Sequence, residues 1–223
     1  MSDLGVVWLG RRPYEPVWDL QKRLVQARRS GRTGDILLFV EHPHTYTLGR
    51  RGDPSHLLAG EDALAEEGIP FVRIDRGGDI TYHGPGQLVG YPILDLSSWN
   101  QDLVQYVRML EDVLIRALRD FGVESGRLEG YTGVWAGRNK VAAIGVKVSG
   151  GITSHGFALN VDTDLSYFDR IIPCGIRDRG VTSLSRLLGR SLDLDEARES
   201  IARHFAQVFG VQPRPLTPEE LLT

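Results

Sequence analysis

Along the chain the apolar positions change rhythm several times, and each change predicts an element. From Leu103 the positions Leu103, Tyr106, Val107, Leu110, Val113, Leu114, Ala117, Leu118 and Phe121 recur at three- and four-residue steps until Gly122. That spacing draws one face of a helix and ends it with a glycine stop. The runs GVVWL (5–9) and DILLFV (35–40) are rich in branched and aromatic residues and bracket VWDLQKRLVQARRSG, which has helical composition and ends in glycine. The N-terminal part therefore predicts strand, helix, strand. FVRID, QLVGYPILDL, GVWAG, KVAAIGVKV and GFALNVD predict further strands between Gly, Pro and Asp turns, and SLDLDEARESIARHFAQVFG predicts a helix near the end. No repeat, low-complexity tract or linker longer than a loop interrupts the pattern. The expectation is one α+β domain over residues 1–223, a central mixed β-sheet flanked by helices with glycine-rich segments in its connections.

Composition narrows the setting. The 223 residues are 41% hydrophobic, enough to fill a core. A formal charge of -3 and a pI near 6.1 argue against a nucleic-acid binder, which neutralises phosphates with a clearly basic surface. The start MSDLGVVWLGRRPYEP has no basic stretch leading into an apolar signal core, and no apolar run reaches the roughly 18 residues a membrane span needs. A soluble, cytoplasmic protein is expected. Cys174 is the one cysteine, so it forms no internal disulfide and belongs to no thiol cluster for zinc; it is either a small buried hydrophobe or a reactive thiol.

Three glycine-rich stretches carry the candidate chemistry. In RGGDITYHGPGQ (76–87), Gly77, Gly78, Gly84 and Gly86 let a ligand approach the backbone, with Arg76, Tyr82, His83 and Gln87 beside them. Neither the Walker spacing nor the dinucleotide spacing is present. A β-hairpin whose glycines serve only its turns is the plain alternative. On a strand, Tyr82 and His83 point to opposite faces and do not share a task. In GRNKVAAIGVKV, Lys140 opens an apolar strand and Ala142, Ala143 and Gly145 leave room beside it. A lysine drawn into a low-dielectric site becomes a proton acceptor; a lysine in a turn keeps its head in water, as Lys22 and Lys147 are expected to do. The third stretch joins SHGFALNVD to LSYFDRIIPCGI. Pro173 fixes the approach to Cys174 and Gly175 removes a side chain that would shield the sulfur, which favours a reactive loop thiol over an inert one. Thiolate chemistry needs a basic neighbour, and Lys140, His155 and His83 are the candidates.

Taken in order and at this spacing, RGGDITYHGPGQLVGYPILDL, KVAAIGV, SHGFALNVD and IIPCGI resemble the lipoyl(octanoyl) transferases, and EHPHTYTLGRRG fits the same family. The resemblance runs from about residue 35 to residue 187, with no departure at the motif positions. It implies a biotin/lipoate protein ligase-like fold and transfer of octanoyl from the phosphopantetheine thioester of octanoyl-acyl carrier protein to a lysine of a lipoyl domain, through a thioester on the enzyme. It implies Cys174 as the acyl acceptor and Lys140 as its partner. The acyl pocket it implies is lined by Arg76, Gly77, Gly78, Asp79, Ile80, Thr81, Tyr82 and His83, by Ala143, Ile144 and Gly145, and by Gly156, Phe157 and Ala158. Acceptors would be lipoyl domains of 2-oxoacid dehydrogenase complexes and the glycine cleavage H protein, with no metal, cofactor, nucleic acid or membrane involved. Such partners are acidic around their attachment sites, which makes Arg11, Arg12, Arg50, Arg51 and Arg76 candidates for a basic face. Rival expectations are an ATP-dependent lipoate or biotin ligase on the same fold, a non-catalytic acyl-binding protein, and a cysteine hydrolase with His155 as base.

Overall fold

The computed structural model describes residues 3–99, 102–176 and 179–222, with the backbone alone for Ser98, Trp99, Cys174 and Leu222. In chain order the strands are β1 (Asp3–Arg11), β2 (Asp35–Glu41), β3 (Thr45–Leu48), β4 (Phe71–Arg73), β5 (Ile80–His83), β6 (Gln87–Ile93), β7 (Gly126–Leu128), β8 (Tyr131–Ala136), β9 (Asn139–Ser149), β10 (Ile152–Asn160), β11 (Gly180–Val181) and β12 (Gln212–Pro215). The helices are α1 (Tyr14–Arg29), α2 (Glu61–Glu66), α3 (Leu103–Asp120), α4 (Leu184–Leu188) and α5 (Leu194–Phe209). A large mixed sheet runs β12-β1-β2-β6-β10-β9-β8-β7, with β11 attached to β9, and a second sheet of three strands runs β4-β3-β5.

The helices divide between the faces of the large sheet as their apolar stripes require. α3 is capped by Asp102, whose carboxylate accepts from the Val104 and Gln105 N–H groups. Its buried residues Leu110, Val113, Leu114 and Leu118 join Ile201 and Phe205 of α5 in one core against Phe39, Leu88 and Phe157. On the other face Val17, Leu24 and Val25 of α1 pack on Leu38, Val89, Tyr91 and Ala158. Strand β2, sandwiched between, is buried at every position and reads as the continuous apolar run DILLFV. The expected helices and strands of the large sheet are present with shifted ends. The three-stranded sheet is the addition: β3 and β5 fall in the short, polar-rich runs TYTL and ITYH, which no periodicity singled out.

The meeting of β6 and β10 depends on one missing side chain. Phe157 lies opposite Gly90 in the antiparallel register, and a Cβ built on Gly90 would stand 2.1 Å from Phe157 Cζ. Gly90→Ala therefore drives the buried Phe157 ring off its seat near Phe39, and overpacking of this kind costs about 1–3 kcal/mol. Urea titration should show that loss with an unchanged slope; an unchanged midpoint would mean that the ring has a second seat.

Candidate active site

The chain crosses itself at β9. The backbone N–H of Gly77 donates to Val146 O on this strand at 3.0 Å, laying the RGG loop over it. Gly145 permits the crossing, since a Cβ there would stand 3.0 Å from Arg76 Cδ and 3.1 Å from Gly77 O. Arg76 itself is buried; its Nη2 donates to Thr47 O and Oγ1 and its Nη1 to Gly77 O, each at 3.0 Å. The guanidinium thereby ties β3 of the small sheet to the loop.

Between loop and strand lies a narrow slot of about 50 Å³. Its floor is made by two directly opposed small pairs across β9 and β10, Gly145 with Gly156 and Ala143 with Ala158. Val89 and Ile144 extend this apolar side, and Tyr14, Arg76, Thr81, His83, Tyr91 and His155 form the polar side. Phe157 borders the slot while its ring belongs to the core on the α3 and α5 face. The expectation that every residue from Arg76 to His83 lines this space needs correction. Strand alternation sends Thr81 and His83 to the slot but Ile80 and Tyr82 the other way, fully buried among Tyr46, Leu64 and Phe168. Gly77 borders the wider cleft outside rather than the slot.

That cleft has a volume of about 990 Å³ and shares Gly78, Asp79, Ile144 and Gly145 with the slot, so the slot opens into it. Lys140 lines its wall and is 8% exposed. Val134 pairs with Ala142 but Trp135 pairs with Lys140, so Val141 is an extra residue and β9 bulges just where the lysine emerges. The ammonium stands 4.9 Å from the Trp135 ring centre. Behind it, fully buried Glu111 accepts from Arg108, Arg127 and the Gly133 N–H. The Pro173–Gly175 turn closes the same cleft through Gly175 and Ile176. The chain then returns as β11 alongside Asn139 and Lys140, and Thr182 N–H donates to Lys140 O at 2.9 Å. The topology thus brings the Cys174 turn, Lys140 and the glycine loop to one cleft; the Cys174 side chain lies outside the described atoms.

A chain of side-chain hydrogen bonds locks the stretches together. His83 Nδ1 pairs with Gln87 Oε1 at 2.8 Å, Gln87 Nε2 donates to Asn160 Oδ1 at 2.9 Å, and Asn160 Nδ2 donates to Thr182 O at 3.0 Å. Since the amide oxygen accepts, His83 Nδ1 carries the proton. Burial, reinforced by nearby His42, pushes the His83 pKa well below the ordinary histidine value. His42, between Arg12 O and the Tyr91 hydroxyl, is pushed by burial down to about 4. Burial raises Tyr14 to about 12 and raises Tyr91 as well. His155 sits in β10 at φ 57 with its Nε2 2.8 Å from Asp75 Oδ1; burial lowers its pKa despite that carboxylate. The His155 hydrogen bond, and then that of Lys147, hold Asp75 well below the usual carboxylate range. Lys147, expected in open water, is thus ion-paired at 2.5 Å. Beside the Arg76 guanidinium, which donates to Thr47 and Gly77, and Asp79 at the mouth, the slot at neutral pH presents apolar groups, neutral imidazoles and phenols.

The basic face needs one further correction. Arg76 is 7% exposed and belongs to the slot, and Arg11 is held by Glu41 through two hydrogen bonds. Arg12, Arg50 and Arg51 are exposed, and Arg51 borders the cleft. Sequence reasoning missed Tyr14, Val89 and Tyr91, whose runs read only as helix start and strand, and His56, considered below.

Comparison with known proteins agrees with this architecture. Residues 13–206 match the family model described as the lipoyl protein ligase A/B catalytic domain. Curated relatives named octanoyltransferase are about half identical to the chain, among them that of Solibacter usitatus, 53% identical over 207 residues and 93% of each chain. In fold the chain is similar to a bi-partite lipoate protein ligase from Thermoplasma acidophilum, with TM-score 0.75 at 19% identity over 99% of this chain and 89% of that one. It is similar also to the biotin protein ligase from Aquifex aeolicus, with TM-score 0.54 at 15% identity over 94% and 70%.

The buried imidazoles make stability pH-dependent with a definite sign. An unfolded histidine binds a proton below about pH 6.5 while folded His42 resists until about 4, so stability present above pH 6.5 is lost as pH falls through that window. His42 alone should contribute a loss on the order of 3 kcal/mol between pH 7 and pH 4, with His83 acting in the same direction. Urea midpoints at the two pH values, for wild type and His42→Gln, measure it: the variant should lose less on acidification, and equal losses would refute the assignment.

Proposed function

From the premise that the chain belongs to the lipoyl protein ligase A/B catalytic-domain family and is an acyltransferase that moves octanoyl groups in protein lipoylation, we propose a two-step route through a thioester on Cys174, with Lys140 as its proton-transfer partner. The observation that carries this reading is that Lys140, the Gly175 end of the cysteine turn and the mouth of the slot at Gly78 and Gly145 line one cleft. The donor is octanoyl-acyl carrier protein. Its acyl chain enters the slot along the Gly145–Gly156 and Ala143–Ala158 floor. A volume of about 50 Å³ takes roughly four water-sized groups, so an eight-carbon chain fills the slot and reaches into the cleft.

In the first step Lys140 takes the Cys174 thiol proton, the thiolate attacks the thioester carbonyl, and the phosphopantetheine sulfur leaves and receives the proton. In the second the acceptor lysine attacks the enzyme thioester, the carbon–sulfur bond breaks, and the sulfur regains a proton through Lys140. Exchange of one thioester for another is nearly isoenergetic, and amide formation makes the second step downhill. The donor arrives activated, so the route uses no nucleotide, metal or other cofactor. Lipoyl domains are the acceptors, those of 2-oxoacid dehydrogenase complexes and the glycine cleavage H protein being the specific partners proposed. One catalytic domain in the cytoplasm suits this role; no described helix is long and apolar enough to cross a membrane.

Intact-protein mass spectrometry decides the route. Wild type mixed with octanoyl-acyl carrier protein should gain one octanoyl group and lose it to added apo lipoyl domain. Cys174→Ala should gain none, and Lys140→Ala should load about 10²–10⁴-fold more slowly. Transfer that instead requires ATP and free octanoate would overturn the route.

Chain length offers an independent check. Ala158→Leu fills the slot away from its mouth, and each methylene excluded costs about 0.8 kcal/mol, or roughly fourfold. The kcat/KM ratio of octanoyl to hexanoyl donor should fall by about tenfold or more, and an unchanged ratio would place the chain elsewhere.

A further inference from the structure

Acyl transfer to a lysine leaves two protons to place. The acceptor side chain is an ammonium at pH 7 and ends as an amide with a single N–H. One proton goes to the cysteine sulfur as the thioester breaks, and Lys140 carries it on the route above. The other must leave the acceptor nitrogen before that nitrogen can attack, and a lysine committed to the sulfur's proton cannot hold it as well. A second base facing the same cleft would take that proton where the amine is to attack.

His56 stands there. It borders the cleft together with Lys140, Asp79 and Gly175. Its Nδ1 lies 2.5 Å from Asp79 Oδ2. With the carboxylate accepting, Nδ1 is the donor, and in the neutral form of the ring Nε2 carries the lone pair; Nε2 has no hydrogen-bond partner among the described residues. The side chain is 20% exposed, which leaves water a path to it. A Cβ built on Gly175 would stand 3.0 Å from His56 Cε1 and 3.3 Å from Asp79 Oδ2, so the pair packs directly against the residue after Cys174. The backbone reinforces this placement: Ile172 N–H donates to His56 O at 2.8 Å, and Leu57 bridges Ile171. Residue 56 and the cysteine turn are one mechanical unit. The charged groups about the ring are Asp79 and Asp53, with Arg51 and Lys140 in the lining of the same cleft.

We propose that His56, oriented by Asp79, is the base that deprotonates the acceptor lysine in the second half-reaction. The proposal rests on the thioester route. In balance, Nε2 takes one proton from the acceptor ammonium and releases it to water in the cleft. The amine nitrogen then bonds to the thioester carbon, the carbon–sulfur pair passes to the Cys174 sulfur, and the proton still surplus on nitrogen reaches that sulfur through Lys140. Loading needs no such base, because thiol replaces thiol and Lys140 moves the single proton involved.

The test uses octanoyl-loaded enzyme and two acceptors at pH 7, apo lipoyl domain and hydroxylamine, an amine already neutral at that pH. His56→Gln should load from octanoyl-acyl carrier protein at the wild-type rate and react with hydroxylamine within a few-fold of wild type. It should deliver octanoyl to the lipoyl domain about 10²-fold more slowly, the usual weight of a general base. The lipoyl-domain defect should shrink toward pH 10, where the acceptor lysine is itself losing its proton. Asp79→Asn should slow delivery from the loaded enzyme to the lipoyl domain more than its reaction with hydroxylamine, at smaller amplitude. Equal slowing with both acceptors would make His56 a mere support of the cysteine turn and overturn its role, as would no slowing at all. A wild type that never loads octanoyl would instead bring down the thioester route, and this role with it.

Discussion

The buried Arg76 guanidinium is the interaction on which the rest depends. A charge out of water is costly unless its donors are satisfied, and here they bond Thr47 of β3 and Gly77 of the adjoining loop. Those bonds hold the small sheet against the large one and press the loop onto β9, where Gly77 reaches Val146. Without that roof the opposed glycine and alanine pairs of β9 and β10 would be a shallow dent in a sheet. With it they become a slot. The requirement for a small residue at Gly145 then follows from the roof, since a Cβ there would press on Arg76 and Gly77 O, whereas at Gly156 it follows from the sheet, where a Cβ would collide with Gly90 and Pro92 of β6.

Slot and cleft divide the chemistry by solvation. Within the slot, desolvation keeps imidazoles neutral and phenols protonated, so an apolar chain meets no unpaired charge there. Outside, the cleft is lined by Lys140 on one wall and His56 beside the cysteine turn, the groups proposed to exchange protons. On the proposed route the acyl chain is held where water is excluded, and protons move where water can take them away.

Much of this arrangement was legible in the sequence, because periodicity reports burial and spacing reports motif. The helix of α3 and the apolar run of β2 are read directly from their patterns. Small residues at Ala143 and Gly145 already pointed to space beside the strand. What was hidden is tertiary. The strands β3 and β5 are too short and too polar to show a period, so the face toward which Ile80 and Tyr82 turn depends on a partner sheet that pattern cannot supply. Tyr14 follows Pro13 at a helix start, and its ring reaches the slot only because α1 packs on β10. His56 lies in a stretch of loop and short 3₁₀ turn with no apolar rhythm, and its meaning comes from Asp79 and Gly175, both distant in sequence.

The shared fold of lipoate ligases, biotin ligases and this chain fixes less than it suggests. In this chain a glycine loop crossing an interior strand, β9, makes a slot beside an open cleft, and that arrangement does not depend on how an acyl group is activated. Activation is where the chemistry must diverge. A ligase has to hold a nucleotide so that a free acid acquires a leaving group. A transferase inherits its leaving group and needs only a nucleophile and somewhere for protons to go. The bulge at Val141 that aims Lys140 and the backbone strap that binds His56 to the cysteine turn are local departures from regular strand and loop. On the proposed route they serve proton transfer rather than acyl binding, and that is the part of the task that the donor thioester does not already solve.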